Sequence, residues 1–201
     1  MHGCFRFNRH AWATVVAVTS ILVAGCASDA ASREATPAQP EGPYYPLEKP
    51  VDRDSDLTRV DGQDRVAAGE VLTLGGSLVD TAGDPVSGAT IEIWQTDTNG
   101  IYLHPDDPEI GSRDQAFQGY GEAAADSNGE WTFTTVNPGR YEPRPRHIHV
   151  KVIVGGNAVL TTQIYFSDDP DAGEDNKALV ADVERGGDGS LTAMHLLVVE
   201  P

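Results

Sequence analysis

Cysteine is the scarcest resource of this 201-residue chain, with thiols only at Cys4 and Cys26. Two thiols near one end can neither staple a fold nor build a thiolate metal site. Basic residues are also few: 14 Lys and Arg stand against 31 Asp and Glu, a net charge of −17. Nucleic acid and anionic membrane surfaces are held by clustered cations, so neither is expected as a partner. The apolar run from Ala11 to Ala24 is shorter than the roughly 20 residues that span a bilayer. No segment carries a convincing amphipathic helical period, which argues against a helical architecture.

What is present begins with a leader. Arg6, Arg9 and His10 precede the apolar run, which ends in Leu22-Val23-Ala24-Gly25-Cys26, the order of an export signal. Its end resembles a bacterial lipobox, which implies cleavage before Cys26 and a lipid anchor on that cysteine. The expected organisation is a leader over residues 1–25, a flexible tether over 26–40 rich in Ala, Ser, Thr and Pro, and one domain over 41–201. The mature protein is then exported and held to the cell envelope through Cys26 alone. Loss of Arg6 and Arg9 leaves 12 basic residues against 31 acidic ones, a net charge of −19. With Cys4 removed and Cys26 acylated, no disulfide is expected.

Strand-length runs of alternating or β-branched apolar residues occupy 71–79, 89–94, 131–136, 147–154, 159–166 and 191–199. Turn residues punctuate them, as in Ala82-Gly83-Asp84-Pro85, Thr98-Asn99-Gly100, Ser127-Asn128-Gly129 and Gly155-Gly156-Asn157. Gly and Asn accept positive φ, and Pro fixes its own. The fold expected is all-β, an antiparallel β-sandwich with long irregular loops. Two such loops are Leu103–Ala116, expected to roof a site because it follows Tyr102, and the acidic Ser167–Ser190, with at most a short helix near 177–183. The carboxylates at Asp168, Asp169, Asp171, Glu174 and Asp175 lack the alternating ligands and central Gly of an EF-hand loop, so a solvated charged loop is the better reading.

One constellation carries chemistry. His147-Ile148-His149 reads as strand, so both imidazoles share a face while Ile148 points the other way. Tyr141 lies just upstream after the Asn137-Pro138-Gly139 turn, Arg144 stands between, and Tyr102 ends another strand-turn unit. A His-x-His pair alone is more often solvent-facing than ligating, and a lone tyrosine is usually core. Together they make a candidate metal site. Phenolate is a hard anionic donor and imidazole a borderline one, a set that suits a hard trivalent ion such as Fe3+.

Several separated motifs then resemble one family. Ala89-Thr90-Ile91-Glu92-Ile93-Trp94-Gln95, Gly100-Ile101-Tyr102, Asp126 through Gly129, Pro138-Gly139-Arg140-Tyr141, Arg144 through His149 and Gln163-Ile164-Tyr165-Phe166 follow the order seen in intradiol ring-cleavage dioxygenases, which include the protocatechuate and catechol dioxygenases. Glu41-Gly42-Pro43-Tyr44-Tyr45 is similar to the segment that opens the family's domain. The resemblance spans about residues 41–170 and implies a β-sandwich with mononuclear non-haem Fe3+ on Tyr102, Tyr141, His147 and His149. It further implies that Tyr141 leaves the iron when substrate arrives, that Arg144 stands beside the ring, and that Gln163 lines the pocket. The substrates implied are a catechol and O2, and the product a muconate-type diacid; no flavin, nicotinamide or external reductant is called for.

The chain departs from the family in places that bear on substrate rather than chemistry. The Tyr141–His147 stretch is shorter than in protocatechuate enzymes, the tryptophan of their pocket has no counterpart, and Glu122 stands where many relatives carry a base. The long helical N-terminal dimerisation region of catechol dioxygenases has no room here, and the oligomeric state is left open. His104 reads as loop polarity and His195 as a structural histidine. Two other readings compete: a non-catalytic surface module, since Gly76 to Ile93 resembles prealbumin-like repeats, and a zinc hydrolase using the histidine pair, which lacks a third ligand in a matching motif.

Overall fold

The computed structural model describes Met1 and residues 32–200; the expected leader and Cys26 lie outside the described residues. Residues 32–200 belong to one compact unit of eight strands: β1 (Val71–Asp80), β2 (Thr90–Trp94), β3 (Tyr120–Ala124), β4 (Glu130–Val136), β5 (His147–Val154), β6 (Asn157–Phe166), β7 (Val180–Arg185) and β8 (Leu191–Val199). They join in the order β3-β2-β5-β6-β7-β8-β1-β4. Short 3-10 helices cover Ile110–Ser112 and Glu174–Leu179. Among the described residues no helix is long and apolar enough to cross a membrane.

The all-β expectation holds, and all six expected strands are present within two residues of their expected ends. Purely antiparallel pairing does not. β1 runs parallel to β8 from Leu72↔Leu191 to Asp80↔Val199, and β6 runs parallel to β7 over Tyr165↔Val180 and Phe166↔Ala181. Parallel neighbours need a crossover rather than a hairpin, and the long acidic loop from Ser167 supplies the one between β6 and β7. That loop also contains β7, expected as irregular chain or short helix; the helical turn ends at Leu179 and Val180 opens a strand. β3 went unread because Tyr-Gly-Glu-Ala-Ala is short and poor in β-branched residues. Residues 33–39, expected as tether, are tied to the domain: Arg33 N–H donates to Thr81 O, Thr36 N–H to Val198 O and Gln39 N–H to Thr161 O at 2.8–2.9 Å.

The core sits on one face of each strand. Ile91 and Ile93 of β2, Ile148, Val150 and Val152 of β5, and Ile164 and Phe166 of β6 share one apolar cluster with Leu72, Leu74, Leu78, Phe133 and Leu197. Each such side chain contributes about 1.5–3 kcal/mol by leaving water. Alternation then sends Glu92, Trp94, His147, His149, Lys151, Gln163 and Tyr165 to the opposite face. That face is covered as well, by an N-terminal strap over residues 40–53. Gln163 Nε2 donates to Pro40 O at 3.0 Å, and Tyr45 donates to Glu92 Oε2 at 2.8 Å. The candidate site lies beneath this strap.

Candidate functional site

Two interlocked turns bring the tyrosines together. Asp97 is fully buried; its Oδ1 accepts the N–H groups of Asn99 and Ile101, and its Oδ2 that of Asp114. Gly100 has φ +87°, and a Cβ there would stand 2.2 Å from Arg140 O. Only glycine fits so close an approach. Gly139 N–H donates to Asp97 O and Thr96 Oγ1 donates to Gly139 O, so the turn before Tyr141 docks on the turn before Tyr102. The Tyr102 and Tyr141 rings end 5.8 Å apart, centroid to centroid, nearly edge-on.

β5 supplies the imidazoles. His147 Nε2 lies 3.2 Å from Tyr102 Oη and 3.2 Å from His149 Nε2. Donors about 2 Å from a common ion stand roughly 3 Å apart, so these atoms are spaced as ligands are. The protonation states agree. His147 Nδ1–H donates to Pro145 O at 2.8 Å, which leaves Nε2 with a free lone pair. Burial pushes the His147 imidazolium down to about 4, with Arg144 adding to the effect. His149 is held well below the ordinary range by burial, then by His147 and Arg144. Both rings are therefore neutral at pH 7.

His149 is the member whose Nε2 a cation would satisfy. Its ring stacks on Trp94 at 4.7 Å and 9°, and its Nδ1 is buried without a hydrogen-bond partner among the described residues. If its proton is on Nε2, Nδ1 is an orphaned acceptor; if on Nδ1, an orphaned donor is left and two Nε2 lone pairs face each other at 3.2 Å. A buried polar group left so is costly. A cation between the Nε2 atoms removes the repulsion of those lone pairs and fixes the His149 proton on Nδ1, which keeps no partner among the described residues. Burial raises the Tyr102 phenol beyond the ordinary range against the pull of Arg144, so Tyr102 would serve as a phenolate ligand only beside a stronger cation. The donor set thus fits a hard metal ion. Among the described residues, no group of three or more His, Cys, Asp or Glu is placed to hold one.

Tyr141 occupies the same wall, with its hydroxyl turned to a residue that sequence reasoning passed over. Its Oη is 3.0 Å from Tyr44 Oη. Tyr44 stacks on Tyr102 at 4.9 Å and is buried, and its hydrogen bond with Tyr141, followed by burial, pushes its pKa up to about 12. The strap therefore roofs the tyrosines. The Leu103–Ala116 loop, expected in that role, stands behind it: His104 packs against Tyr44 at 5.5 Å, and Asp107 accepts the Tyr102 N–H at 2.8 Å.

Arg144 and Gln163 are brought to the cluster together. Arg144 Nη2 donates to Gln163 Oε1 at 2.8 Å and to Tyr165 Oη at 3.0 Å, and Tyr165 donates to Gln163 Oε1 at 2.8 Å. Gln163 faces His149, and Tyr165 faces His147, in the β5–β6 register. Tyr165 is a further neighbour that sequence did not single out, although it shares its strand face with Gln163. The acidic loop serves the same region from outside. Asp169 takes the Arg146 N–H at 2.8 Å and pairs with Arg140, which also meets Asp171. Burial alone would raise the Asp169 pKa, but these hydrogen bonds and charges hold it below the ordinary range. His195 lies on β8, apart from the cluster, with Nε2 buried and unpartnered among the described residues. A depression of about 670 Å³ lined by Asp54, Glu122, Asp126, Trp131 and Met194 shares no residue with the site.

This geometry has clear relatives. The family model described as Dioxygenase matches residues 40–183. The chain is 33% identical over 136 residues to a protocatechuate 3,4-dioxygenase beta chain of Burkholderia cepacia, across 64% of this chain and 58% of that one. It is 34% identical over 155 residues to a catechol 1,2-dioxygenase of Acinetobacter baylyi, across 68% of this chain and 48% of that one. The solved dioxygenase domain of a dioxygenase and carbohydrate-binding protein fusion from Streptomyces sp. superposes with TM-score 0.66 at 31% identity, covering 83% of this chain and 99% of that one. The protein belongs to the intradiol ring-cleavage dioxygenase family. It spans about half the length of the first two relatives, 58% and 48%.

Proposed function

We propose that this protein is a non-haem iron(III) dioxygenase that inserts both atoms of O2 into a catecholic ring and cleaves it between the two hydroxylated carbons, giving a muconate-type diacid. The observation that carries the reading is the convergence of Tyr102 Oη, His147 Nε2 and His149 Nε2 at 3.2 Å spacings beside Tyr141. Tyr102, Tyr141, His147 and His149 are the residues that would hold Fe3+. The bound ion supplies Lewis acidity, which favours phenolate over phenol in both tyrosine and catechol.

The rest falls to side chains. Arg144, fixed by Gln163 and Tyr165, offers a preorganised cation where negative charge develops on the ring. Tyr44 keeps a hydrogen bond for the Tyr141 hydroxyl, so Tyr141 can take up a proton and stand aside without an unpaired group. Tyr44, Tyr102 and Trp94 pack as buried aromatics around the donors and limit water. The same reading takes the strand halves β3-β2-β5-β6 and β7-β8-β1-β4 as the facing layers of a β-sandwich, and residues 1–25 as a leader that sends the enzyme out of the cytoplasm on a lipid at Cys26. A non-catalytic surface module is disfavoured because it has no use for two buried imidazoles lined up with a buried phenol at 3.2 Å spacings.

A visible spectrum with iron analysis on residues 27–201, before and after anaerobic addition of catechol, tests the proposal. A tyrosinate-to-iron charge-transfer band with about one iron per chain, shifting on catechol addition, is expected. A colourless protein that cannot be reconstituted with iron overturns it.

A further inference from the structure

Beneath the strap lies a second polar row, one step along the strands from the imidazoles, with Glu92 buried at its centre. Glu122 of β3, Glu92 of β2 and Lys151 of β5 are direct register partners. Glu92 is 1% exposed, and like charges directly opposite on a sheet repel. The strap answers each of them at every fourth residue. Glu41 pairs with Lys151 at 2.5 Å; Tyr45 donates to Glu92 and lies 3.5 Å beneath the Lys151 ammonium; Lys49 bridges Glu92 at 2.5 Å and Glu122 at 3.1 Å; Arg53 reaches Glu122 at 3.3 Å. Tyr120 also donates to Glu122, at 2.8 Å. Burial works against the charge on Lys49, but the hydrogen bonds to the two carboxylates outweigh it and its pKa rises.

The strap residues between these anchors are the ones that touch the candidate metal site. Gly42 has φ +76°, and a Cβ there would stand 3.3 Å from His149 Cε1. Tyr44 stacks on Tyr102 and hydrogen-bonds Tyr141. We propose that Glu92 is a positioning residue: through Tyr45 and Lys49 it latches the strap to the sheet, and so sets where Gly42 and Tyr44 stand against His149, Tyr102 and Tyr141. The inference rests on the dioxygenase reading for its catalytic consequence, though not for the latch itself. A carboxylate taken fully out of water against another carboxylate is costly unless a cation joins them, so strap and sheet close together or not at all.

The test is amide hydrogen exchange over residues 41–53 of the metal-free protein, for Lys49→Met, Glu92→Gln and the double variant, with Tyr45→Phe as the mild form. Lys49→Met leaves two facing carboxylates without their shared cation; strap exchange is expected to rise about tenfold or more while β1 and β8 stay protected. The double variant removes the buried charge together with its partner and is expected to return exchange to within about threefold of the parent. Tyr45→Phe removes one hydroxyl and is expected to fall between; it decides the matter if Lys49→Met does not fold. In the iron-loaded forms, the tyrosinate charge-transfer band is expected to shift and KM for catechol to rise in Lys49→Met and Tyr45→Phe, with both recovering in the double variant. Unchanged strap exchange overturns the latch, and an opened strap with an unmoved band overturns the positioning role. If exchange responds as stated but the parent shows no turnover, the latch stands and the dioxygenase reading fails.

Discussion

The two faces of β5 are both buried yet are built on opposite principles. On one face Ile148, Val150 and Val152 join a cluster of buried apolar side chains. On the other, His147, His149 and Lys151 lie beneath the strap among phenols, carboxylates and a guanidinium. Hydrocarbon packing is non-directional, so the first face tolerates exchange at constant volume. The second works only if each donor meets its acceptor, and at His149 one nitrogen meets none. The face is organised instead around Tyr102 Oη, His147 Nε2 and His149 Nε2, which succeed one another at 3.2 Å spacings.

Breaking the polar face at His149 should give the largest effect. His149→Ala is expected to abolish iron retention, a loss of about 100-fold or more in metal affinity, while metal-free thermal stability changes little; iron stoichiometry and calorimetry read the two together. On the apolar face the pattern inverts. Ile148→Ala is expected to cost about 2–5 kcal/mol of stability by denaturant unfolding, with iron still bound at one per chain while the variant remains folded.

Acid offers a third way to separate the faces. His147 titrates near 4 in the folded chain against an ordinary 6.5, so between these values the unfolded state binds the proton and the native state does not. Stability of the metal-free protein therefore rises with pH across that window and falls on acidification from 6.5 to 4, by on the order of 3 kcal/mol from His147. A urea midpoint that stays level over the window would rule out a buried neutral imidazole. The smallest effect belongs to a residue on neither face. Leu47 is 74% exposed on the strap, and Leu47→Ser is expected to leave stability within about 0.5 kcal/mol by the same unfolding measurement.

The sequence was legible wherever local rules sufficed. The His-x-His pair could be placed on one strand face because side-chain alternation needs no knowledge of the neighbours, and β5 begins and ends as its apolar pattern said. Arg144 came from the family resemblance and not from a local rule; the structure places it against Gln163 and Tyr165. β3 and β7 were not legible, because Gly121 and the acidic setting of Val180–Arg185 hide them from any propensity scale; cross-strand partners make them strands. Tyr44 looked like part of an opening segment, and nothing local says that its hydroxyl meets one 97 residues away.

Composition, turn chemistry and period-2 patterning by themselves determined an all-β domain with few cations, two phenols and an imidazole pair suited to a hard metal ion, because each of these is a property of a residue or its near neighbours. Only the tertiary structure decided the parallel seams at β1–β8 and β6–β7, the roof formed by the strap, and the Lys49 bridge between facing carboxylates. These join residues far apart in the chain, and their free energy exists only once the sheet has brought the partners into register.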